Sequence, residues 1–243
     1  MKKRYKITIS YDGTNYCGWQ TQPNEISIQE KIQDALETLL KTRPNLTGSG
    51  RTDSGVHALG QVAHFDAEKE PSLKSLNALL PKDIRITKIQ TVPDTFHARY
   101  SALGKIYQYH IHTLPHHSPF TELYSHQAQN LDLDILKKGT ELFVGKRDFT
   151  SFANEAHRGS AKNNPIKDLR RLDLIHEGHV LILEFEGDGF LYKMVRNITG
   201  TLLDIALKKL PLDSVQKIFD AKDRSKASAV APAKGLFLKE VIY

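Results

Sequence analysis

The chain has 243 residues, of which 40% are hydrophobic and 26% are charged, and its formal net charge is +6. This length supplies enough apolar material for one large domain or two modest ones, and the composition excludes a long disordered or collagen-like chain. The positive net charge favours a polyanionic partner, although many basic proteins bind no nucleic acid.

Cysteine usage and the N-terminus indicate the compartment. Cys17 is the only cysteine, so no disulfide can form within the chain, which is typical of a reducing compartment. The basic N-terminal residues are followed by an alternating pattern rather than an apolar signal region, and no apolar run is long enough to cross a bilayer. We therefore expect a cytoplasmic protein without membrane contacts.

The first hundred residues predict the order β-α-β-β-α-β. Ser27 and Glu30 form a capping box ahead of apolar residues at helical spacing, and the strands show alternation. The longer predicted elements are strands over 5–11, 61–66 and 84–92 and helices over 28–40 and 73–80. This order is typical of a ferredoxin-like antiparallel sheet with both helices on one face.

The second half predicts the same order with an extra helix before its last strand. The predicted elements are strands over 105–112, 169–175, 180–185 and 236–242 and helices over 131–143, 190–207 and 212–220. In the helix over 190–207 we expect Arg196 and Asn197 to lie off the buried stripe. We therefore predict an α+β fold with halves at 1–104 and 105–243, in which two ferredoxin-like units form one mainly antiparallel sheet with helices on one face.

Two polar loops leave alternatives open. Tyr16 and Trp19 follow the first strand, and their rings either dock onto the core or stack on a nucleic-acid base. A loop over 153–164 either orders on RNA or is a solvated surface loop. Its basic side chains are His157, Arg158 and Lys162.

A glycine-rich loop reads Gly-Ser-Gly-Arg-Thr-Asp-Ser-Gly-Val-His-Ala over 48–58. Its glycines indicate that the backbone bends sharply or lets another molecule approach. Arg51 and Asp53 share one face if the segment is extended, and a neighbouring cation favours the ionised carboxylate that serves as a nucleophile or base. An Asx turn or a helix cap is the alternative role for the aspartate, and the spacing does not match a phosphate-binding P-loop.

The stretch Gly-Arg-Thr-Asp-x-Gly-Val-His-Ala resembles the active-site signature of the TruA family of tRNA pseudouridine synthases, although Ser54 stands where alanine is common in that family. Further blocks resemble the family in the same order along nearly the whole chain. These blocks are 11–13, 18–20, 60–65, 96–99, 148–152 and 194–197.

The resemblance implies roles for four residues. Asp53 is the expected catalytic aspartate, and Arg51 would help to hold the flipped-out nucleotide or the backbone near it. Tyr107 would stack its ring on the target base, and Arg196 would pair with the catalytic carboxylate. The family fold is a duplicated α+β core with the catalytic cleft between the halves.

The implied reaction is isomerisation of uridine to pseudouridine at positions 38, 39 and 40 of the tRNA anticodon stem-loop, by a homodimer with one tRNA across both subunits. The bond between ribose carbon 1 and the base nitrogen breaks, and the base turns and rejoins through a ring carbon. The reaction requires no redox change, no phosphate and no metal, and we expect no cofactor. The carboxylate attacks either ribose carbon 1 or the ring, or acts as a base.

Two other classes of function compete with this interpretation. A non-catalytic RNA-binding protein on the same fold would account for the charge and the aromatic residues. A metal-dependent nuclease would use His110 and His112, but no third ligand follows at zinc-site spacing, so we expect these histidines on a solvated or RNA-facing strand.

Overall fold

The computed structural model describes residues 2–116, 118–154 and 163–243. These residues separate into two compact units, of which the first comprises the chain up to Leu103 together with Phe237–Tyr243 and the second comprises Gly104–Leu236. The loop side chains of His157, Arg158 and Lys162 lie outside the described residues. Within the described ranges, no helix is long and apolar enough to cross a membrane.

The described residues form ten strands and five α-helices. The strands are β1 (Lys3–Tyr11), β2 (Thr47–Gly48), β3 (His57–Ala67), β4 (Ile84–Val92), β5 (Gly104–His112), β6 (His126–Gln127), β7 (Gly145–Asp148), β8 (Ile166–Glu177), β9 (Val180–Gly187) and β10 (Leu236–Ile242). The helices are α1 (Ile28–Leu40), α2 (Leu73–Leu79), α3 (Leu133–Glu141), α4 (Met194–Ala206) and α5 (Ser214–Ala221).

The first unit contains the predicted β-α-β-β-α-β order. Its strands follow the order β4-β1-β3-β10, in which β1 pairs antiparallel with both neighbours and β10 runs parallel to β3. The Ser27 hydroxyl accepts the backbone N–H of Glu30 at 3.2 Å, so α1 begins where the capping box predicted. Tyr16 and Trp19 are buried, which confirms that both rings dock onto the core.

The second unit pairs its strands in the order β5-β9-β8-β7, all antiparallel, and the short strand β6 adds a parallel pair to β5. The sequence interpretation predicted neither β6 nor β7. It did predict β8, β9 and the three helices, and in the structure α3 packs against α4. The α+β class with mainly antiparallel pairing is therefore confirmed.

Helix α4 differs from its prediction in two respects. It begins at Met194 rather than at residue 190, because Lys193 has a left-handed φ of 60° that interrupts the helical hydrogen bonding. The expectation that Arg196 and Asn197 lie off the buried stripe is wrong, since both are buried. The chain before β10 covers this side of the helix, where the N–H of Ala231 donates to the carbonyl of Arg196 at 3.1 Å.

A buried histidine in β3 binds the backbone of a loop that follows β4. The side chain of His64 is 6% exposed, and its Nδ1 accepts the backbone N–H of Ala98 at 3.1 Å. The proton of the neutral ring therefore lies on Nε2. Burial lowers the pKa of His64 to about 4, and the positive charge of Arg4 acts in the same direction.

We expect this histidine to make stability depend on pH. Between the ordinary histidine pKa of 6.5 and a pKa of about 4, the unfolded chain binds a proton that the folded chain does not. Stability is therefore fully present above pH 6.5 and falls by roughly 1–3 kcal/mol as the pH drops through this window. Urea unfolding at pH 7.5 and pH 5 measures the loss.

His64→Asn keeps an acceptor for the N–H of Ala98 but removes the titrating ring. We therefore expect the free energy of unfolding of this variant to fall less than that of wild type between pH 7.5 and pH 5. His176→Asn changes an exposed histidine in β8 and should leave the wild-type dependence intact. Equal losses in wild type and His64→Asn would show that another group is responsible.

Candidate active site

The loop between β2 and β3, residues 49–56, carries Arg51 and Asp53, and we call it the Asp53 loop. Arg51 is exposed, Thr52 is buried and Asp53 is half-buried. This alternation is that of an extended segment, in which side chains at i and i+2 leave on the same face. Thr52 therefore turns inward, and Arg51 and Asp53, which flank it, are more exposed, as expected if this short segment is extended.

Backbone hydrogen bonds fix the position of Asp53 within this loop. The carbonyl of Asp53 accepts the N–H of Val56 at 3.2 Å, which closes a tight turn, and Gly55 donates to the carbonyl of Tyr16 at 3.3 Å. The carbonyl of Thr52 accepts the N–H of Trp19 at 3.2 Å. The aspartate thus lies on backbone that is tied to the preceding loop on both sides.

Gly18 allows this close approach between two loops. Its φ is +102°, a conformation that favours glycine, and a Cβ atom there would lie 2.2 Å from the carbonyl oxygen of Thr52 and 2.9 Å from the carbonyl carbon of Asp53. No side chain fits at this distance. Gly18 belongs to the block at 18–20 that resembles the TruA family. Its close contact with the Asp53 loop explains why this position of the block is a glycine.

Tyr107 lies in β5 of the second unit, opposite Phe185 of β9. Its side chain is 8% exposed, and its ring packs edge-on against Phe190 with 5.1 Å between the ring centroids. Phe190 therefore restricts the orientation of the Tyr107 ring.

Arg196 lies in the first turn of α4, a helix that packs against β5 in the second unit. It is only 9% exposed, and its Nε donates to the carbonyl of Ala231 at 2.7 Å. Arginine is seldom this buried unless it is paired or has a functional role. Its charge reaches Tyr109, where burial raises the pKa of the phenol and Arg196 partly opposes that rise.

Asn197 is a residue whose contribution the sequence interpretation missed. Its side chain is fully buried, donates to the carbonyl of Phe152 at 2.7 Å and accepts from a guanidinium nitrogen of Arg224 at 2.8 Å. These bonds tie the first turn of α4 to two loops beside Arg196. The available signal was two adjacent polar residues, Arg196 and Asn197, in an otherwise apolar helix. Helical periodicity predicted that both lie on the exposed side.

The structure thus places the four predicted site residues as two pairs. Arg51 and Asp53 share one loop of the first unit, and Tyr107 and Arg196 lie on packed elements of the second unit.

The paired histidines of β5 contact protein groups. His110 lies 3.4 Å from Oε1 of Gln108, and Nε2 of His112 donates to the carbonyl of His116 at 3.2 Å. Within the part of the chain that the structure describes, no three His, Cys, Asp or Glu side chains cluster in a way that could hold a metal ion.

Comparisons with known proteins agree on one family. A family model described as tRNA pseudouridine synthase matches residues 7–101 and 140–243. A protein of Protochlamydia amoebophila named tRNA pseudouridine synthase A 1 is 56% identical, over 98% of this chain and 96% of that protein. Proteins named tRNA pseudouridine synthase A from Lacticaseibacillus casei and Chlamydia pneumoniae are 43% and 41% identical, each over 98% of this chain and over 99% and 91% of the respective relative.

Proposed function

The chain belongs to the tRNA pseudouridine synthase family, as the TruA-like blocks predicted, and we propose that it isomerises uridines 38, 39 and 40 in the tRNA anticodon stem-loop with Asp53 as nucleophile. Membership of the family makes it an isomerase of tRNA uridine. The observation that supports the finer proposal is the Asp53 loop, in which the more exposed Arg51 and Asp53 flank a buried Thr52 on a backbone that hydrogen bonds hold in place.

In the proposed reaction, Asp53 forms a bond to ribose carbon 1 as the bond from that carbon to the ring nitrogen breaks. The freed uracil turns within the site, and ring carbon 5 forms the new bond to ribose carbon 1 while the carboxylate leaves. Carbon 5 then loses its proton and the ring nitrogen gains one, so the product is an isomer of the substrate. No electron is transferred, and we propose that no cofactor or metal takes part.

The three remaining residues have supporting roles in this proposal. A base within a stem is out of reach of a carboxylate, so the nucleotide must be flipped out, and the exposed guanidinium of Arg51 holds it there. Tyr107 stacks on the target base, and Arg196 pairs with the catalytic carboxylate, as the family resemblance implies. The burial of Arg196 supports this role, because a buried charge interacts more strongly than an exposed one.

Substitutions of Tyr107 test the stacking role. Stacking of a base on an aromatic ring contributes about 1–3 kcal/mol, so Tyr107→Leu should lower the rate of pseudouridine formation by about 5- to 150-fold. Tyr107→Phe keeps the ring and should retain most of that rate. Tyr192→Leu, at an exposed tyrosine of the same unit, should have no effect. Equal losses in the Phe and Leu variants would contradict a stacking role.

We further propose that the protein is a cytoplasmic homodimer that holds one tRNA across both subunits, mainly through its phosphates. The net charge of +6 supports phosphate binding, and recognition by shape and backbone suits anticodon arms of differing sequence. Binding of tRNA should then weaken steeply as salt rises.

The direct test incubates the pure protein with an unmodified tRNA transcript in a buffer that contains a chelator and no cofactor. We expect pseudouridine to accumulate in intact RNA. Binding of tRNA without new pseudouridine would favour the non-catalytic alternative. A parallel reaction without the chelator would favour a nuclease if the RNA were cleaved only there.

A further inference from the structure

A set of buried polar side chains lies beneath the Asp53 loop, and we call the four residues Tyr11, Ser49, Thr52 and Gln61 the loop anchor. All four are buried, and none of them reaches the face that presents Arg51 and Asp53. They come from the end of β1, the loop itself and β3, so the anchor joins the loop to the sheet of the first unit.

Gln61 fixes the start of the Asp53 loop. Its Oε1 accepts the hydroxyl of Ser49 at 2.7 Å, and its Nε2 donates to the carbonyl of Gly50 at 3.1 Å. A backbone carbonyl can only accept, so this contact sets which end of the amide faces Gly50. The backbone N–H of Ser49 also donates to the carbonyl of Val62 at 2.7 Å, so both residues that precede Arg51 are held against β3.

Tyr11 holds Thr52, the residue between Arg51 and Asp53. The Tyr11 hydroxyl lies 2.8 Å from the Thr52 hydroxyl and also interacts with the Gln61 side chain. Burial raises the pKa of the phenol, which therefore remains a neutral hydroxyl. Because Trp19 binds the carbonyl of Thr52, the side chain and the backbone of this residue are both fixed.

The anchor has one low-energy arrangement. A buried hydroxyl or amide that loses its partner costs about 1–3 kcal/mol, so any shift of the loop that separates these groups is unfavourable. Thr52 is inward and Asp53 follows it directly, so the position of the carboxylate depends on the position of this hydroxyl. A misplacement of about 1 Å in a catalytic group can cost about 100-fold in rate.

We propose that Tyr11, Thr52 and Gln61 are positioning residues that set the carboxylate of Asp53 for the isomerisation. This inference rests on the function proposed above. The anchor acts on the chemical step and contributes nothing to the affinity for tRNA, because none of its side chains is exposed to RNA.

The test measures the single-turnover rate constant and the Kd for tRNA in five proteins at a temperature where all of them are folded. Thr52→Val is isosteric but lacks the hydroxyl, and Tyr11→Phe removes one oxygen. Both should lower the rate constant about 10- to 100-fold, while the Kd stays within about twofold of wild type. Thr52→Ser restores the hydroxyl and should keep the rate within about threefold of wild type.

Tyr5→Phe is the matched control, since Tyr5 is a buried tyrosine of the same strand whose ring packs on Phe65. It should keep the wild-type rate. The proposal is overturned if Thr52→Val keeps the wild-type rate constant. It is also overturned if the rate constant of Thr52→Ser falls as far as that of Thr52→Val. Should Thr52→Val fail to fold, a wild-type rate in Tyr11→Phe overturns it alone.

Hydrogen exchange separates this proposal from the proposed function. In Tyr11→Phe and Thr52→Val, the amides of Gly55 and Val56 should exchange at least about tenfold faster than in wild type and Tyr5→Phe. A wild-type protein that forms no pseudouridine would overturn the proposed function, whereas unchanged exchange in these variants would overturn the positioning role.

Discussion

Asp53→Asn is expected to leave tRNA binding intact and to lower pseudouridine formation by at least about 10⁴-fold, since the amide cannot attack ribose carbon 1. The two side chains have nearly the same shape, so the backbone bonds around Asp53 should remain. The measurement combines the single-turnover rate with unmodified tRNA and the Kd for the same RNA.

Asp134→Asn is the control for this substitution, because Asp134 is an exposed aspartate in the first turn of α3. It should retain the wild-type rate. Substantial activity in Asp53→Asn would remove Asp53 as the nucleophile and with it the proposed mechanism.

Gly18→Ala is expected to lose both stability and activity. The new Cβ would lie 2.2 Å from the carbonyl oxygen of Thr52, so the loop that holds Asp53 must move, and the φ of +102° adds strain of its own. We expect a loss of about 2–4 kcal/mol in the free energy of unfolding. The protein that remains folded should isomerise uridine at least about 100-fold more slowly, because Asp53 is displaced.

Gly178→Ala separates the effect of strain from that of the clash. Gly178 also has a positive φ, +61°, but no atom lies within 4 Å of a Cβ placed there. The free energy of unfolding of this variant should fall by only about 1–2 kcal/mol, and its activity should equal that of wild type. If Gly18→Ala behaved in the same way as Gly178→Ala, the close contact between Gly18 and the Asp53 loop would have no functional importance.

Local patterns predicted most of the secondary structure. The capping box at Ser27 placed the start of α1, and alternation placed β4 at its observed bounds, because both signals depend on residues that are close in sequence. The strand β7 was missed because Gly-Lys-Arg-Asp shows no alternation and its pairing depends on β8, about twenty residues later.

The burial of Arg196 depends on contacts that helical periodicity does not contain. The chain around Ala231, 35 residues later, covers this side of α4 and supplies the carbonyl that Arg196 binds. The loop anchor also depends on contacts between residues distant in sequence, since Tyr11 and Thr52 are 41 positions apart. Residues this far apart in sequence give no periodic signal that would identify them as partners.

The role of Asp53 came from the family resemblance and not from the residue pattern. An aspartate in a loop rich in glycine and serine is equally typical of an Asx turn. What the structure adds is the inward Thr52 and the outward Arg51 and Asp53, an alternation that the sequence predicted only on the condition that the loop is extended.

The most direct test of this account incubates an anticodon-arm transcript with the pure protein and no added cofactor and then maps pseudouridine by mass. Because uridine and its isomer have equal mass, the RNA is first treated with a reagent that adds mass to pseudouridine but not to uridine. We expect pseudouridine at positions 38, 39 and 40 and nowhere else, and none when these three uridines are replaced by cytidine. Pseudouridine elsewhere in the arm, or none in the uridine-containing transcript, would contradict the account.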